Sequence, residues 1–202
     1  MTGWQTNCSA ISMALTCEDN LRLNELEYRD RRSYLRSQPI SFTIVAGNAC
    51  NIRCRHCYQS KNGDNLLKAP RIARELRQEF SQFYPYLSTL LLMGGEVFAM
   101  EGFSDLLEDV AAATDRPIVS VSTNATLIGE EWAEKIVRTP FAHLAVSIDG
   151  GTPETYNRLR RGADFQAVLA NLEHLRRWLD ASAIMGSTCA GISNPCSTSI
   201  RR

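Results

Sequence analysis

The segment SFTIVA at 41–46 runs through Gly47-Asn48-Ala49 into Cys50-Asn51-Ile52-Arg53-Cys54-Arg55-His56-Cys57-Tyr58, and the reading of the chain turns on it. The first part is apolar and rich in β-branched residues, too short for a buried helix, and closed by glycine; it reads as a strand. The second part sets three thiols in the loop that follows. Working outward, similar short apolar runs recur at Leu87–Met93 (LSTLLLM), Pro117–Ser122 (PIVSVS) and Phe141–Ile148 (FAHLAVSI). Between them, Ile72, Leu76, Phe80 and Phe83, then Phe103, Leu106, Leu107 and Val110, and then Glu130–Val137 mark helices. Thr152-Pro153 supplies an N-cap and a first-turn proline, and Val168, Leu172, Leu175 and Leu179 form a last apolar stripe. Four strand–helix units in succession predict an α/β fold, a parallel sheet covered by helices. Ligand-binding groups are then expected at the C-terminal ends of the strands.

The flanks read differently. Residues 1–17 show little periodicity and are expected to form an arm. Asn20–Arg36 is charge-rich, lacks Gly and Pro, and predicts an exposed helix ended by Gln38-Pro39. Ala181–Arg202 has neither helical nor strand periodicity, and no fifth strand appears where one is due. The expected division is an arm and helix over 1–38, a core over 39–180, and an unstructured tail over 181–202. The tail reads as the product of a truncated or shifted reading frame. Lys and Arg number 22 against 22 Asp and Glu, so no electrostatic footprint points to nucleic acid or an anionic membrane. The apolar runs fall well short of the ~20 residues of a membrane span. With no signal-peptide core at the N-terminus, the expectation is a soluble cytoplasmic protein.

Three of the seven cysteines crowd into Cys50–Cys57; Cys8, Cys17, Cys189 and Cys196 lie singly toward the ends. Clustered cysteines without a secretory signal more often hold a metal than form a disulfide scaffold. Thiolates suit zinc or an iron–sulfur cluster. Zinc normally takes four protein ligands, and His56 is poorly placed beside Cys57 to be the fourth. Three local thiolates on a cubane leave one iron open to a small molecule. The four outlying cysteines read as unligated thiols, and His143 and His174 as structural or surface residues.

Three further motifs fall at strand ends. Gly94-Gly95-Glu96 closes the second strand, where two glycines allow close backbone approach and a carboxylate stands at the tip. Ser122-Thr123-Asn124 and Ser147-Ile148-Asp149-Gly150 close the third and fourth. Taken alone, these are turns and caps with solvated side chains, and Arg158 and Arg161 are solvated charges.

Together they resemble the radical S-adenosylmethionine (radical SAM) superfamily. The C-x3-C-x-aromatic-C pattern carries the likeness, with His56 at the aromatic position, and CNIRCRHCYQ looks most like the peptide-modifying and SPASM-type maturases. The resemblance implies a [4Fe–4S] cluster held by Cys50, Cys54 and Cys57 that chelates S-adenosylmethionine (SAM) at its open iron. It implies that Gly94, Gly95 and Glu96 receive the methionine ammonium, Glu96 by a charge-assisted hydrogen bond. Asn124 and Ser147 would meet the ribose or carboxylate, Asp149 the ribose or substrate, and Arg158 or Arg161 the SAM carboxylate. Val97 stands where proline is frequent. The implied activity is reductive cleavage of SAM to a 5′-deoxyadenosyl radical that abstracts hydrogen from an unidentified substrate, a peptide being one candidate. The partner implied is a reductant such as a flavodoxin or ferredoxin. No individual catalytic residue is assigned. The family core is a (β/α)6 partial barrel, of which this chain supplies about four units, so the expectation is an N-terminal fragment with an apolar edge at FAHLAVSI. An inactive remnant that binds only the cluster and a non-enzymatic zinc protein are the alternatives.

Overall fold

The four apolar runs pair into one parallel sheet. In the computed structural model, which describes residues 16–45, 47–59, 71–139 and 141–184, its strands are β1 (Ser41–Val45), β3 (Thr89–Met93), β4 (Ile118–Thr123) and β5 (Phe141–Val146), side by side in that order. A small antiparallel pair joins β2 (Arg53–Cys54) to β6 (Arg160–Arg161). The helices are α1 (Cys17–Arg29), α2 (Arg74–Ser81), α3 (Phe103–Ala112), α4 (Glu130–Arg138), α5 (Pro153–Leu159) and α6 (Phe165–Ile184). This is the predicted α/β partial barrel. Among the described residues, no helix is long and apolar enough to cross a membrane.

Register explains why one face of the sheet is sealed. Phe42 lies beside Leu90, Leu90 beside Val119, and Val119 beside Phe141; the next row runs Ile44, Leu92, Val121, Leu144. Because side chains alternate across a strand, these rows share one face. They belong to the main apolar core with Phe103, Leu106, Leu107 and Val110 of α3 and Ile136 of α4. The opposite row, Thr43, Leu91, Ser120 and His143, is more open, with Thr43 and His143 exposed. Phe98, Phe103 and Trp132 close the core near the strand tips with ring centroids 4.9–5.5 Å apart. β1 and β5 are the edges of the four-stranded sheet, so the FAHLAVSI segment is an edge as expected.

Three expectations shift. First, α1 begins at Cys17, not Asn20, because Thr16 and Asp19 form a reciprocal capping box. It ends at Arg29, not Arg36. Arg31 takes a left-handed conformation (φ 54°), and the Arg31 and Arg32 N–H groups donate to the Tyr28 and Glu27 carbonyls, a Schellman closure. Nor is the helix free in solvent. Buried Asn20 exchanges two hydrogen bonds with the Gln38 backbone, and the buried Glu27 carboxylate accepts the Arg36 and Ser37 N–H groups at 2.7 and 3.1 Å. Second, the segment opened by Thr152-Pro153 is a separate short helix, α5, and Arg161 lies beyond it in β6. Third, α6 continues through Ile184, four residues into the segment expected to be irregular (181–184). Of the outlying cysteines, Cys17 is disulfide-bonded, which corrects its reading as an unligated thiol. Cys8, Cys189 and Cys196, with residues 1–15 of the arm expected over 1–17 and the part of the tail beyond 184, lie outside the described residues.

Glu27 gives the α1 docking a pH dependence. Burial pushes its carboxyl up, but the N–H donors of Arg36 and Ser37 outweigh this and hold it below the ordinary carboxylate value. A carboxyl lowered in the folded state stabilises above its unfolded pKa, and that contribution is lost as pH falls through the folded one. Amide exchange at Arg36 and Ser37, corrected for intrinsic rate, is expected to lose protection as pH drops below the usual carboxylate range. Glu27→Gln should show the loss already at pH 7, whereas equal protection in the two proteins would remove Glu27 from this role.

Candidate metal and cofactor site

The cysteine loop and the three strand-end motifs singled out in the sequence follow the C-terminal ends of parallel strands. The cysteine loop follows β1, Gly94-Gly95-Glu96 follows β3, Asn124 follows β4 and Ser147 follows β5. The sheet therefore brings four separate segments to one rim.

The cysteine loop is fixed by backbone contacts on both sides. On one side, the Gly95 N–H donates to the Gly47 carbonyl and the Glu96 N–H to the Ala49 carbonyl, each at 2.9 Å. The approach is so close that a Cβ on Gly95 would lie 2.0 Å from the Ala49 oxygen, and one on Gly94 2.6 Å from the Gly47 oxygen. The glycines thus serve close packing of the rim against the cysteine loop itself. On the other side, Cys54 pairs with Arg160 across the β2–β6 ribbon, and the Arg55 N–H donates to the Leu159 carbonyl at 2.8 Å. Ile52, buried, anchors the loop's middle.

Cys50, Cys54 and Cys57 are free thiols, all half-buried. Burial pushes the Cys50 thiol up, and the nearby Glu96 and Cys57 charges add to it. Burial also raises Cys54; Arg160 opposes this, while Cys50 and Cys57 reinforce it. With Cys50 and Cys54 both pushed toward the neutral thiol, the loop offers a donor set whose thiolate charge a cationic iron core would neutralise. Among the described residues, no three His, Cys, Asp or Glu side chains are gathered to hold a single metal ion. A four-iron cube asks for a different arrangement, one thiolate at each of three corners, and three free cysteines of one loop fit that demand.

The Glu96 carboxylate is fully buried. One oxygen accepts the Thr123 hydroxyl at 2.7 Å and the Phe98 N–H at 3.2 Å; the other accepts the Asn124 N–H at 2.7 Å. Burial raises its pKa, and the Asn124, Thr123 and Phe98 donors pull the other way. The Asn124 side-chain amide donates to Asn51 Oδ1 at 3.0 Å and toward Cys50 Sγ at 3.8 Å, while its Oδ1 accepts the Thr126 N–H and hydroxyl. Thr126 Oγ1 in turn accepts from Asn51 at 2.7 Å. Ala125 between them is buried in a left-handed conformation (φ 59°), and Asn171 of α6 holds the Ala125 and Thr126 carbonyls. Ser147 is half-buried, and its N–H donates to the Thr123 carbonyl at 2.9 Å.

Asp149 forms a second cluster. Its Oδ2 lies 2.7 Å from Arg160 Nε, an ion pair without an aligned hydrogen bond, and 3.1 Å from His56 Nε2. Arg158 and Arg161 are exposed, whereas Arg160 between them is buried, over the Tyr156 ring. Sequence reading missed Arg160, because only the β2–β6 pairing distinguishes it from its neighbours. It also missed Thr123 as a partner of Glu96, and Asn171, whose reach to the Ala125 turn spans 46 positions. His174 accepts from the Trp178 indole at 3.1 Å, a structural role as expected.

A parallel α/β sheet with a three-cysteine loop at its rim defines the class. Residues 44–186 match the model of the Radical SAM superfamily, and the chain belongs to that superfamily. It is 33% identical over 147 residues to the AdoMet-dependent heme synthase of Methanosarcina barkeri, covering 68% of this chain and 39% of that protein. To the mycofactocin maturase MftC of Mycobacterium tuberculosis it is 26% identical over 138 residues, 68% of this chain and 34% of the relative. Among solved structures, SuiB of Streptococcus suis shares the fold with a TM-score of 0.59 at 15% identity, over 80% of this chain and 35% of SuiB. The anSMEcpe structure with bound AdoMet matches with a TM-score of 0.55 at 25% identity, over 70% and 40% of the two chains. The chain thus spans about a third to two-fifths of the length of these relatives.

The Gly95 contact predicts a substitution effect. Gly95→Ala should force the Ala49 carbonyl away and lower the iron retained after anaerobic reconstitution, with the far-UV circular dichroism unchanged. Gly151→Ala, where a Cβ meets nothing within 4 Å, is the matched control. Equal iron in both proteins would show that this contact does not hold the loop.

Proposed function

We propose that this chain carries the cluster- and SAM-binding part of a radical SAM enzyme that acts on a peptide. The observation that supports it most is the loop of free Cys50, Cys54 and Cys57 at the C-terminal rim of a parallel sheet in a chain of this superfamily. Those three thiolates would hold a [4Fe–4S] cluster. Such a cluster, when bound and reduced, supplies the electron that cleaves SAM to methionine and a 5′-deoxyadenosyl radical. The protein's share is ligation, orientation and exclusion of water.

The rim supplies groups suited to SAM. Gly94 and Gly95 bring backbone close to the cysteine loop. Asn124 and Ser147 present short polar side chains beside it, for the ribose or carboxylate. Asp149, partly open, would face ribose or substrate. Arg158 and Arg161, both exposed, are free to meet a carboxylate from outside. Glu96, with Gly94 and Gly95, would receive the methionine ammonium; Thr123, Phe98 and Asn124 take three of the acceptor sites of its carboxylate and leave one on the oxygen that faces Asn124. Two of the relatives support a peptide substrate: one is a maturase, and anSMEcpe has been solved with a peptide bound. The reaction would run in the cytoplasm with a flavodoxin or ferredoxin as electron donor.

Anaerobic reconstitution followed by a 5′-deoxyadenosine assay tests this. The protein should turn brown, with about four irons per chain and a broad absorbance near ~400 nm. Cys54→Ala should abolish the colour. Reduced protein with SAM should release 5′-deoxyadenosine. Stoichiometric zinc without iron would overturn the cluster, and cluster binding without SAM cleavage would reduce the chain to an inactive remnant.

A further inference from the structure

The segment that follows buried Glu27, Tyr28–Arg36 (YRDRRSYLR), is exposed along its whole length. It carries four arginines and one carboxylate in a chain whose formal net charge is zero. Asp30 lies 3.8 Å from Arg29 and 3.5 Å from Arg32, and among the described residues no carboxylate pairs with Arg31 or Arg36. Tyr28 and Tyr34 are 85% and 83% exposed, the two most exposed large apolar side chains among the described residues, and Leu26 and Leu35 are exposed near them in sequence. A single exposed apolar residue needs no explanation, but tyrosine and leucine gathered among arginines have the composition of interface anchors. The backbone beneath them is pinned. Left-handed Arg31 turns the chain back along α1, the Glu27 carboxylate accepts the Arg36 and Ser37 N–H groups, and Asn20 holds Gln38. Side chains shown on a fixed backbone lose less freedom when a partner binds.

Such a surface suits an acidic partner that also brings apolar side chains. The chain's own outlying segments do not offer one: residues 1–15 and 185–202 contain no Asp or Glu, and in 60–70 Asp64 stands between Lys61 and Lys68. A nucleic acid fits less well, because a continuous phosphate backbone would also meet Asp30 and the exposed acids Glu18, Asp19 and Glu25 of α1. An electron donor has to approach the cysteine loop, which leaves β1 at its C-terminal end, whereas this segment leads into β1 at the other end. We propose that Tyr28–Arg36 docks an acidic polypeptide segment that carries apolar side chains. This deepens the peptide reading above and rests on it for the source of that segment, a part of the substrate remote from the residue that reacts. One extended polypeptide reaches both places, since the five residues of β1 that separate them span only roughly 17 Å.

Fluorescence anisotropy of a labelled short peptide alternating glutamate and leucine measures docking on the full chain, with neither iron nor SAM. The peptide should bind at low ionic strength and be released as salt is added, because exposed charges are screened. Arg31→Glu combined with Arg36→Glu should weaken binding by about tenfold, and Tyr28→Ser combined with Tyr34→Ser by about fivefold, with the far-UV circular dichroism unchanged. Arg74→Glu makes the same change of charge at an exposed position of α2 and should stay within about twofold of the parent. A peptide alternating lysine and leucine should not bind. The proposal is overturned if the glutamate peptide does not bind, or binds the Arg31 and Arg36 variant as well as it binds Arg74→Glu. It is also overturned if a single-stranded oligonucleotide displaces the labelled peptide more readily than the unlabelled peptide does. A dimer of the free protein that the Arg31 and Arg36 changes dissociate would overturn it too, since the surface would then join copies of this chain. If reconstitution yields no iron and no 5′-deoxyadenosine, the enzyme reading fails while the anisotropy still decides what this surface binds.

Discussion

The contact on which this structure depends is the near-touching of two backbones, Gly94–Gly95 against Gly47–Ala49. A loop that carries three free thiols gains little from its own packing, because cysteines and polar residues supply few apolar contacts. It must borrow rigidity from the sheet. The sheet offers this at the tip of β3, beside the strand that feeds the loop, and the loan is made through two backbone hydrogen bonds. Any side chain on Gly95 would stand inside the Ala49 carbonyl. The same geometry delivers Glu96 into the interior, where its carboxylate joins the tips of β3 and β4.

Burying a carboxylate is costly unless every lone pair that matters is satisfied. Here three donors do so, two from β4 and its turn and one from the short 3-10 turn after Glu96. The arrangement stitches neighbouring strands exactly where hydrogen bonding between strands stops and the loops begin to diverge. Phe98, at the same turn, packs against Phe103 and Trp132, so the polar stitch rests on an aromatic floor. Polar satisfaction and core packing reinforce each other at this point, and the rim is stiff for that reason.

Much of this was legible in the sequence. The four strands, the order of the helices and the rim position of the cysteines follow from short apolar runs alternating with helical stripes. The cysteine loop carried the family likeness by spacing alone. What sequence periodicity does not encode is the direction of a polar side chain. Glu96 reads as a carboxylate on a tip, and only the β3–β4 register turns it inward toward Thr123. Arg158, Arg160 and Arg161 are indistinguishable until β6 pairs with β2 and buries the middle one. The end of α1 was misread for a similar reason. A left-handed Arg31 closes the helix without the glycine that usually announces such a stop.

The second stitch is electrostatic and differs in kind. Asp149 stands between His56 of the cysteine loop and Arg160 of β6, so one carboxylate ties β5's end to both strands of the small ribbon's neighbourhood. Unlike Glu96 it is partly open to solvent, and its contact with His56 involves a half-exposed ring. A partly solvated pair holds less firmly than a buried acceptor with aligned donors, because water competes for both groups. The two sides of the loop are therefore unequally held. Cys50 sits against the rigid side, where glycine contact, Glu96 and Asn124 converge. Cys54 and Cys57 sit toward the ribbon, held by a backbone ladder of two residue pairs and by a charge cluster that solvent can reach. A loop anchored firmly at its first thiol and more loosely at the other two can adjust around a bulky inorganic core while keeping its entry from β1 fixed.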